Sequence, residues 1–234
     1  MEAVGHPASW KSSERQFDKF SDKFCKRSLR PDEYMIKRNG EPYVPPKGYE
    51  RLKNEAASLQ FIREKTNIPV PEVLEAYDDR GAFVLVTKLL PGVQMCKLSA
   101  EQQIKVMEEV EAQIKVLQSI KSSRTGGPTG IVCPPPRATR WFPKGTVWSS
   151  TTPKEPDLVF CHCDLSQTNI LVDPETLSIT GIIDWEFSGF WPDYFEAPYF
   201  RDPRPSGAQF VEPADNVEVV DFLERQGHKV EATS

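Results

Sequence analysis

The chain has 234 residues, with 29 Lys and Arg against 34 Asp and Glu, a formal net charge of −5 and 38% hydrophobic residues. This composition is typical of a globular protein and excludes a disordered chain. The net acidity argues against nucleic-acid binding, which requires a basic face. The longest apolar stretch, residues 83–90, is far shorter than the about 20 apolar residues of a membrane span, so no membrane association is expected.

The first 16 residues contain no apolar run of the kind found in secretion signals, and a cytoplasmic location is expected. The five cysteines, at positions 25, 96, 133, 161 and 163, form an odd set without the spacing of a disulfide framework. Reduced thiols of a cytoplasmic protein are therefore predicted. The sequence leaves the oligomeric state open.

Residues 1–30 carry seven basic and four acidic side chains, a local charge of +3. Phe17, Phe20 and Phe24 recur at i, i+3 and i+7, a spacing that predicts a short amphipathic helix. Residues 1–30 are accordingly predicted to form an N-terminal helical extension.

Residues 31–90 are predicted to form an N-terminal lobe. Residues 34–38 form a strand in this prediction, followed by the strong turn signal Asn39-Gly40. A helix is predicted over 49–65, with the apolar stripe Leu52, Ala56, Leu59 and Ile62. Two further strands are predicted over 73–77 and 82–88, and the sequence Leu90-Pro91-Gly92 marks the boundary with the next lobe.

Residues 91–234 are predicted to form a C-terminal lobe. It begins with a helix over 99–121, for which Ser99 and Gln102 form a capping box. An irregular loop over 122–157 and a strand-rich block over 158–184 follow. A last helix is predicted to start near Pro213.

The segment 159–186 contains the side chains that are candidates for catalysis or metal binding. Strands over 169–172 and 178–183 flank a turn at Asp173-Pro174-Glu175-Thr176. If they pair as an antiparallel hairpin, Asn169 and Asp184 lie at the same end, with Asp164 in the loop just before. Oxygen ligands of this kind are those that Mg²⁺ prefers.

The pattern His162-x-Asp164-x-x-x-x-Asn169, followed by Ile182-Ile183-Asp184-Trp185-Glu186, resembles the catalytic segment of the aminoglycoside phosphotransferase family. The residues within these motifs are closer still to those of a fungal group of uncharacterised kinase-like proteins. The resemblance covers about residues 33–225. It implies an α+β, bilobal protein-kinase-like fold with a small N-terminal lobe and a mostly helical C-terminal lobe. It also implies transfer of a phosphoryl group from ATP, with Mg²⁺, to a hydroxyl of a small molecule.

The resemblance implies a role for each matching residue. Asp164 corresponds to the catalytic aspartate that orients the substrate hydroxyl and accepts its proton. His162 corresponds to a supporting histidine that holds the catalytic loop. Asn169 and Asp184 correspond to the Mg²⁺ ligands.

Glu55 corresponds to the helix glutamate that pairs with the lysine of the ATP phosphates. Its place at the edge of the apolar stripe agrees, because a half-buried carboxylate requires a cation. Lys37, in the predicted preceding strand, is the first candidate for this cation. Lys47 and Lys53 are the alternatives.

Three features depart from the family. Residues 1–33 contain a single glycine, Gly5, so no Gly-rich loop over the phosphates is visible. Position 163 is Cys, and the chain ends about 50 residues after Asp184, which predicts a small C-terminal lobe. The alternative function is therefore a degenerate kinase-like module that binds a nucleotide or a protein partner without turnover.

Three other sites were weighed around residues 161–164. A zinc site at 161–163 is disfavoured because neighbouring side chains on a strand face opposite ways. A nucleophilic Cys163 beside His162 fails for the same reason. A metallohydrolase centre at His162, Asp164 and Asp184 would need further histidines, and only His6 and His228 remain, near the termini. Residues 184–234 carry a net charge of −7, which suits a cationic acceptor such as an aminosugar, or else a solvated acidic surface.

Overall fold

The structure is a computed structural model that describes residues 7–154 and 157–226, and the backbone of residues 229–230. Its N-terminal part is a five-stranded antiparallel sheet in the order β1-β2-β3-β5-β4. The strands are β1 Ala8–Lys11, β2 Arg15–Lys19, β3 Lys23–Ser28, β4 Val73–Asp79 and β5 Ala82–Lys88. One helix, α1 (Gly48–Lys65), crosses the sheet. It buries Leu52, Leu59 and Ile62 completely, which confirms the predicted apolar stripe.

The predicted N-terminal helical extension is wrong, because the described part of residues 1–30 forms three strands of this sheet; residues 1–6 lie outside the described residues. Phe17 pairs with Trp10 across β1 and β2, and the two rings stack with centroids 5.2 Å apart. Phe24 adds a third ring 6.0 Å from Phe17. The spacing of the three phenylalanines thus comes from a hairpin with Phe20 next to its turn, and cross-strand pairing is invisible to a helical periodicity count.

The strand predicted over 34–38 is also wrong. Residues 34–47 form a loop, in which Ile36 and Pro42 make an isolated bridge around the Asn39-Gly40 turn. No neighbouring strand pairs with this segment among the described residues, and Lys37 is exposed.

The C-terminal part combines helices with three small antiparallel sheets. The elements are β6 Val93–Gln94, α2 Ala100–Ser119, β7 Lys121–Ser122, α3 Pro136–Thr139, β8 Thr146–Val147, β9 Leu158–Cys161, β10 Ile170–Val172, β11 Ile179–Ile182, β12 Gly189–Trp191, α4 Val217–Arg225 and β13 Lys229–Val230. The sheets have the orders β11-β10-β6, β12-β9-β7 and β13-β8. Ser99 and Gln102 form the predicted capping box of α2.

The predicted hairpin over 169–183 is confirmed. Strands β10 and β11 are antiparallel, and Ile170 pairs with Ile182. Phe160, Trp185 and Trp191 are fully or almost fully buried, and the rings of Phe160 and Trp185 lie 6.3 Å apart, so the segment after the hairpin packs against β9. No helix among the described residues is long and apolar enough to cross a membrane.

Candidate active site

The hairpin places Asn169 and Asp184 side by side and Asp164 next to them. The backbone N–H of Ile183 donates to the Asn169 carbonyl at 2.9 Å. The Asn169 amide donates to the Asp164 backbone oxygen at 2.8 Å and to its Oδ2 at 3.3 Å. Since Asn169 uses its N–H group toward Asp164, its side-chain oxygen is left to accept or to ligate. The structure thus brings together the three oxygen-bearing residues predicted from the sequence.

Lys26 supplies the cation at this site, and the predicted pairing of Lys37 with Glu55 is wrong. Lys26 Nζ lies 2.7 Å and 3.0 Å from the two oxygens of Glu55 and 2.7 Å from Asp184 Oδ1. Lys37 lies on the exposed loop, 3.9 Å from Glu41. Strand alternation gives the physical reason: residues 24, 26 and 28 of β3 share the face that is turned toward α1.

The alternatives Lys47 and Lys53 also lie elsewhere. Lys47 Nζ donates to the backbone oxygen of Val132 at 3.2 Å, and Lys53 Nζ lies 5.8 Å from the ring of Tyr49. One sequence pattern could have identified Lys26. If Phe24-Cys25-Lys26-Arg27-Ser28 is assigned as a strand, positions 24, 26 and 28 lie on the same face.

Burial and neighbouring charges shift the pKa values of these carboxyls in different directions. Burial, together with the charge of Asp184, raises the pKa of Asp164 to about 7, while hydrogen bonds from Ser206 and Asn169 oppose the rise. Burial also acts to raise the pKa of Asp184, but the charge and hydrogen bond of Lys26 outweigh it, and the pKa is lowered. The pKa of Glu55 is raised, because its burial outweighs the attraction of Lys26. Lys26 thus favours the ionised form of Asp184, whereas burial favours the protonated form of Asp164.

His162 connects the loop at Asp164 with the end of the β10–β11 hairpin. Its Nε2 lies 3.0 Å from the Ile183 carbonyl, and its Nδ1 accepts the Asp164 backbone N–H at 3.2 Å. These bonds fit the neutral tautomer with the proton on Nε2. Burial agrees, since it lowers the pKa of His162 to about 4. The ring lies 4.5 Å from that of Trp185. In this geometry the imidazole holds the backbone of Asp164.

Glu196 is a contributor that the sequence did not predict. Its buried carboxylate accepts the backbone N–H of His162 and that of Cys163, the latter at 3.2 Å. Cys163 has a φ of 68°, in the left-handed region, so the turn before Asp164 needs such support. Burial raises the pKa of Glu196 to about 7. No local sequence signal marks this residue, because it reaches the loop only through the tertiary fold.

The competing zinc and hydrolase sites find no support. Burial raises the pKa of both Cys161 and Cys163, which disfavours the thiolate that a metal or a nucleophilic role requires. The described residues hold no group of three His, Cys, Asp or Glu side chains placed to bind a metal ion. His6 and His228 lie outside the described residues.

The turn between β1 and β2 closes over the site without a glycine. Ser12 Oγ accepts the backbone N–H of Glu14 at 3.1 Å and that of Arg15 at 3.0 Å, which shapes the turn. The sequence showed no Gly-rich loop for this place, and a serine-stabilised turn occupies it.

Four charged side chains, Glu14, Arg15, Arg51 and Glu186, form an ionic clamp that anchors this turn. Arg15 Nη2 lies 2.5 Å from Glu186 Oε2, and Arg51 pairs with Glu14 and lies 3.5 Å from Glu186. Arg15 also donates to the Gly48 carbonyl at 2.7 Å. The clamp thus connects the turn, α1 and the second residue after Asp184.

Beneath the turn lies a cleft of about 430 Å³. Its lining combines the two rings Phe17 and Phe24 with Lys26, Asp184 and three of the clamp residues, Glu14, Arg15 and Glu186. The carboxylate of Asp184, which lines the cleft, and the free side-chain oxygen of Asn169 fit Mg²⁺, which takes one or two carboxylates together with phosphate oxygens. An aromatic wall, a lysine and hard oxygen ligands suit a magnesium-bound nucleotide.

Comparison with known proteins agrees with this geometry. The profile of a family described as "Phosphotransferase enzyme family" matches residues 22–196. The chain belongs to this family. The match begins within β2–β3 and ends at Glu196, and therefore spans every site residue described above from Lys26 onward.

Curated relatives of this family member include two aminoglycoside 3'-phosphotransferases. The one from Streptomyces fradiae is 29% identical over 164 residues, with 61% of each chain covered. The one from Streptomyces ribosidificus is 28% identical over 171 residues, with 61% of this chain and 62% of the relative covered. The alignments thus span about three fifths of the length of these relatives.

Solved structures show the same fold at low identity. The apo form of a thermostable mutant of aminoglycoside phosphotransferase APH(4)-Ia has a TM-score of 0.58 and 15% identity, with 95% of this chain and 79% of that chain covered. APH(3'')-Id from Streptomyces rimosus has a TM-score of 0.56 and 18% identity, with 97% and 88% covered. The predicted bilobal protein-kinase-like fold is confirmed. The closer likeness to a fungal group stays a prediction.

Proposed function

We propose that this protein transfers the γ-phosphoryl group of ATP, with Mg²⁺, to a hydroxyl of a small-molecule acceptor. The observation that carries the proposal is the position of Lys26, 2.7 Å from both Glu55 and Asp184, together with the hydrogen bond that joins Asn169 to Asp164. Phosphoryl transfer depends on positioning and charge stabilisation, and this arrangement supplies a fixed cation, metal ligands and a base.

Each residue has a distinct task in this proposal. Asn169 and Asp184 would hold Mg²⁺, which when bound neutralises charge on phosphate oxygens. Lys26, held by Glu55, binds the phosphates as a point charge. Asp164 orients the acceptor hydroxyl and accepts its proton, and a pKa of about 7 suits a base that works near neutral pH. His162 and Glu196 are positioning residues, since they hold the backbone on either side of Asp164.

For the acceptor we propose a hydroxylated molecule that carries amines. The support is the curated relatives, which are aminoglycoside phosphotransferases, and the net charge of −7 over residues 184–234. Free cysteines, with Cys25 and Cys96 only half buried, fit a reducing compartment, and we propose the cytoplasm as the location.

The test is Mg²⁺-dependent release of ADP in the presence of aminoglycosides, choline-like alcohols and sugars. Wild type is expected to release ADP with at least one acceptor, and Asp164→Asn is expected to lose at least 10²-fold of that rate, as positioned acid–base groups contribute about 10²–10⁴-fold. Glu175→Gln, in the exposed turn of the hairpin, is the matched control and should keep the wild-type rate.

Nucleotide binding without acceptor-dependent ADP release across the whole panel would favour the alternative, a kinase-like module without turnover. Equal rates in wild type and Asp164→Asn would show that Asp164 is not the base.

A further inference from the structure

We propose that a second cavity, of about 760 Å³, binds a small anion that carries an apolar ring. The cavity lies between the start of α1 and the loop over residues 133–148. It shares Glu14 with the nucleotide cleft, but neither Lys26 nor Asp184 lines it. It is a separate site, and its ligand goes beyond the function proposed above.

The first observation is a buried donor without an acceptor. Arg51 lines the cavity and is only 7% exposed. Its two terminal nitrogens face Glu14 and Glu186, but its Nε–H group has no hydrogen-bond partner. A buried donor left unpaired is costly, so native structures rarely retain one. An anion bound in the cavity would bring negative charge close to this unpaired group.

The second observation is an excess of positive charge in the lining. Lys47 and Arg140 line the cavity, and within the described part of the chain neither has a carboxylate partner. They donate only to backbone oxygens, of Val132 at 3.2 Å and of Pro136 at 3.4 Å. Glu14 is paired with Arg51. Among the other charged residues of the lining, Glu50 is the one anion and Lys47 and Arg140 are the two cations. This balance favours a bound anion.

The N-terminal end of α1 adds to the positive electrostatic potential of the cavity. Lys47 occupies the N-cap position with a φ of 48°, and no side chain caps the helix. The charge of a lysine at this end is unfavourable with the helix dipole, whereas an anion there is stabilised by it. A ligand anion would therefore offset both the lysine charge and the uncapped N–H groups.

Much of the remaining lining is aromatic or proline. These walls are formed by the rings of Tyr43, Trp148 and Phe187 and by several prolines, including Pro136 and Pro143. Such walls accept a planar ring, since sites of this kind combine apolar surface with a few placed polar groups. The anion, a carboxylate or a phosphate, would lie toward Arg51 and Lys47.

The test is isothermal titration of the full chain with four ring compounds: phenyl phosphate, benzoate, benzyl alcohol and benzylammonium. The two anions are expected to bind at least tenfold more tightly than the alcohol or the cation. The double variant Lys47→Met/Arg140→Met should weaken phenyl phosphate binding at least tenfold. The control Lys65→Met/Arg80→Met removes the same charge elsewhere on the surface and should bind as wild type does.

Two further titrations separate the proposal from a folding defect and from binding in the nucleotide cleft. Lys47→Arg/Arg140→Lys keeps the charge and is expected to bind within threefold of wild type, which separates loss of charge from loss of folding. Saturating ADP should leave phenyl phosphate binding intact, because the nucleotide occupies the other cleft.

The proposal is overturned by equal affinity for the ring cation, by unchanged binding in Lys47→Met/Arg140→Met, by displacement with ADP, or by absence of heat with both anions at 10 mM. The titration without nucleotide involves no turnover, so its failure leaves the phosphotransferase proposal standing.

Discussion

Lys26 is shared by two acidic side chains that belong to different parts of the chain. Glu55 comes from α1 and Asp184 from the end of β11, and each lies 2.7 Å from the same ammonium group. Removal of this one side chain leaves two carboxylates facing each other in a largely buried place. The proposed nucleotide site and the position of α1 therefore depend on the same contact.

Replacement of Lys26 by Met is expected to weaken ATP binding at least tenfold and to lower the free energy of unfolding by about 3 kcal/mol, because a buried ion pair loses one partner. ATP affinity would be measured on the folded protein by titration, and stability by urea unfolding. Lys37→Met is the matched control, since Lys37 is exposed. A Lys26→Met variant that binds ATP as wild type does would contradict the assignment.

The raised pKa of Asp164 predicts a pH dependence of catalysis. Below about pH 7 the carboxyl is protonated and cannot accept the proton of the acceptor, whereas above pH 7 it is ionised. The rate constant kcat/KM should therefore rise between pH 6 and pH 8 and level off. A profile that falls over this range would contradict the role of Asp164 as the base.

The same shift has an opposite consequence for stability. A carboxyl whose pKa is higher in the folded than in the unfolded protein favours folding below its unfolded pKa, and this contribution is lost as the pH rises toward 7. Asp164 and Glu196 both behave in this way. The pH that favours activity is thus not the pH at which these two groups favour the fold.

At the scale of elements, the turn between β1 and β2 is held in place by side-chain contacts and contains no glycine. A Gly-rich turn reaches phosphates because its backbone is free, whereas this turn is tied by Ser12 and by the ionic clamp. The clamp joins the turn to α1 and to the segment after Asp184. Movement of any of these elements must therefore involve the other two.

Replacement of Glu186 by Gln is expected to weaken ATP binding by about tenfold, equivalent to 1.4 kcal/mol, because Arg15 loses its charged partner and the turn loses its anchor. The Kd for ATP would be measured by titration. The thermal midpoint of the free protein would be measured as well, to show that the variant is folded. Glu175→Gln, a carboxylate in the exposed turn of the hairpin, is the control. A folded Glu186→Gln protein with wild-type ATP affinity would show that the clamp does not position the turn.

The elements were predictable to different degrees. The helices α1 and α2 and the β10–β11 hairpin rest on local patterns, an apolar stripe, a capping box and a turn at Asp173, and were predicted close to their observed bounds. The first three strands were not, because their rings pair across strands, and the i, i+3, i+7 spacing arises by coincidence. The lobe boundary near residue 90 stays a prediction.

At the scale of the whole molecule, the candidate site is assembled from both parts of the chain. The N-terminal sheet and α1 supply Lys26 and Glu55, and the C-terminal part supplies Asp164, Asn169 and Asp184. A ligand that contacts both parts binds the folded protein alone and stabilises it by mass action.

Saturating Mg·ATP, at about 100 times its Kd, is therefore expected to add about 2.7 kcal/mol to the free energy of unfolding. For a chain of this length the thermal midpoint should rise by roughly 5–10 °C. The shift should require Mg²⁺ and should be lost in Asp184→Asn, the variant without the metal-binding carboxylate. The absence of any shift at millimolar Mg·ATP would contradict the nucleotide site.

The sequence by itself determined the candidate catalytic segment, because His162, Asp164, Asn169 and Asp184 lie within one loop and one hairpin, whose geometry follows from short-range pairing. Only the tertiary structure decided which lysine meets Glu55 and which carboxylate supports the turn at Cys163. Lys26 lies 29 residues from Glu55 along the chain and 158 from Asp184. Such contacts depend on strand order and on how α1 lies against the sheet, and no local pattern of residues encodes them.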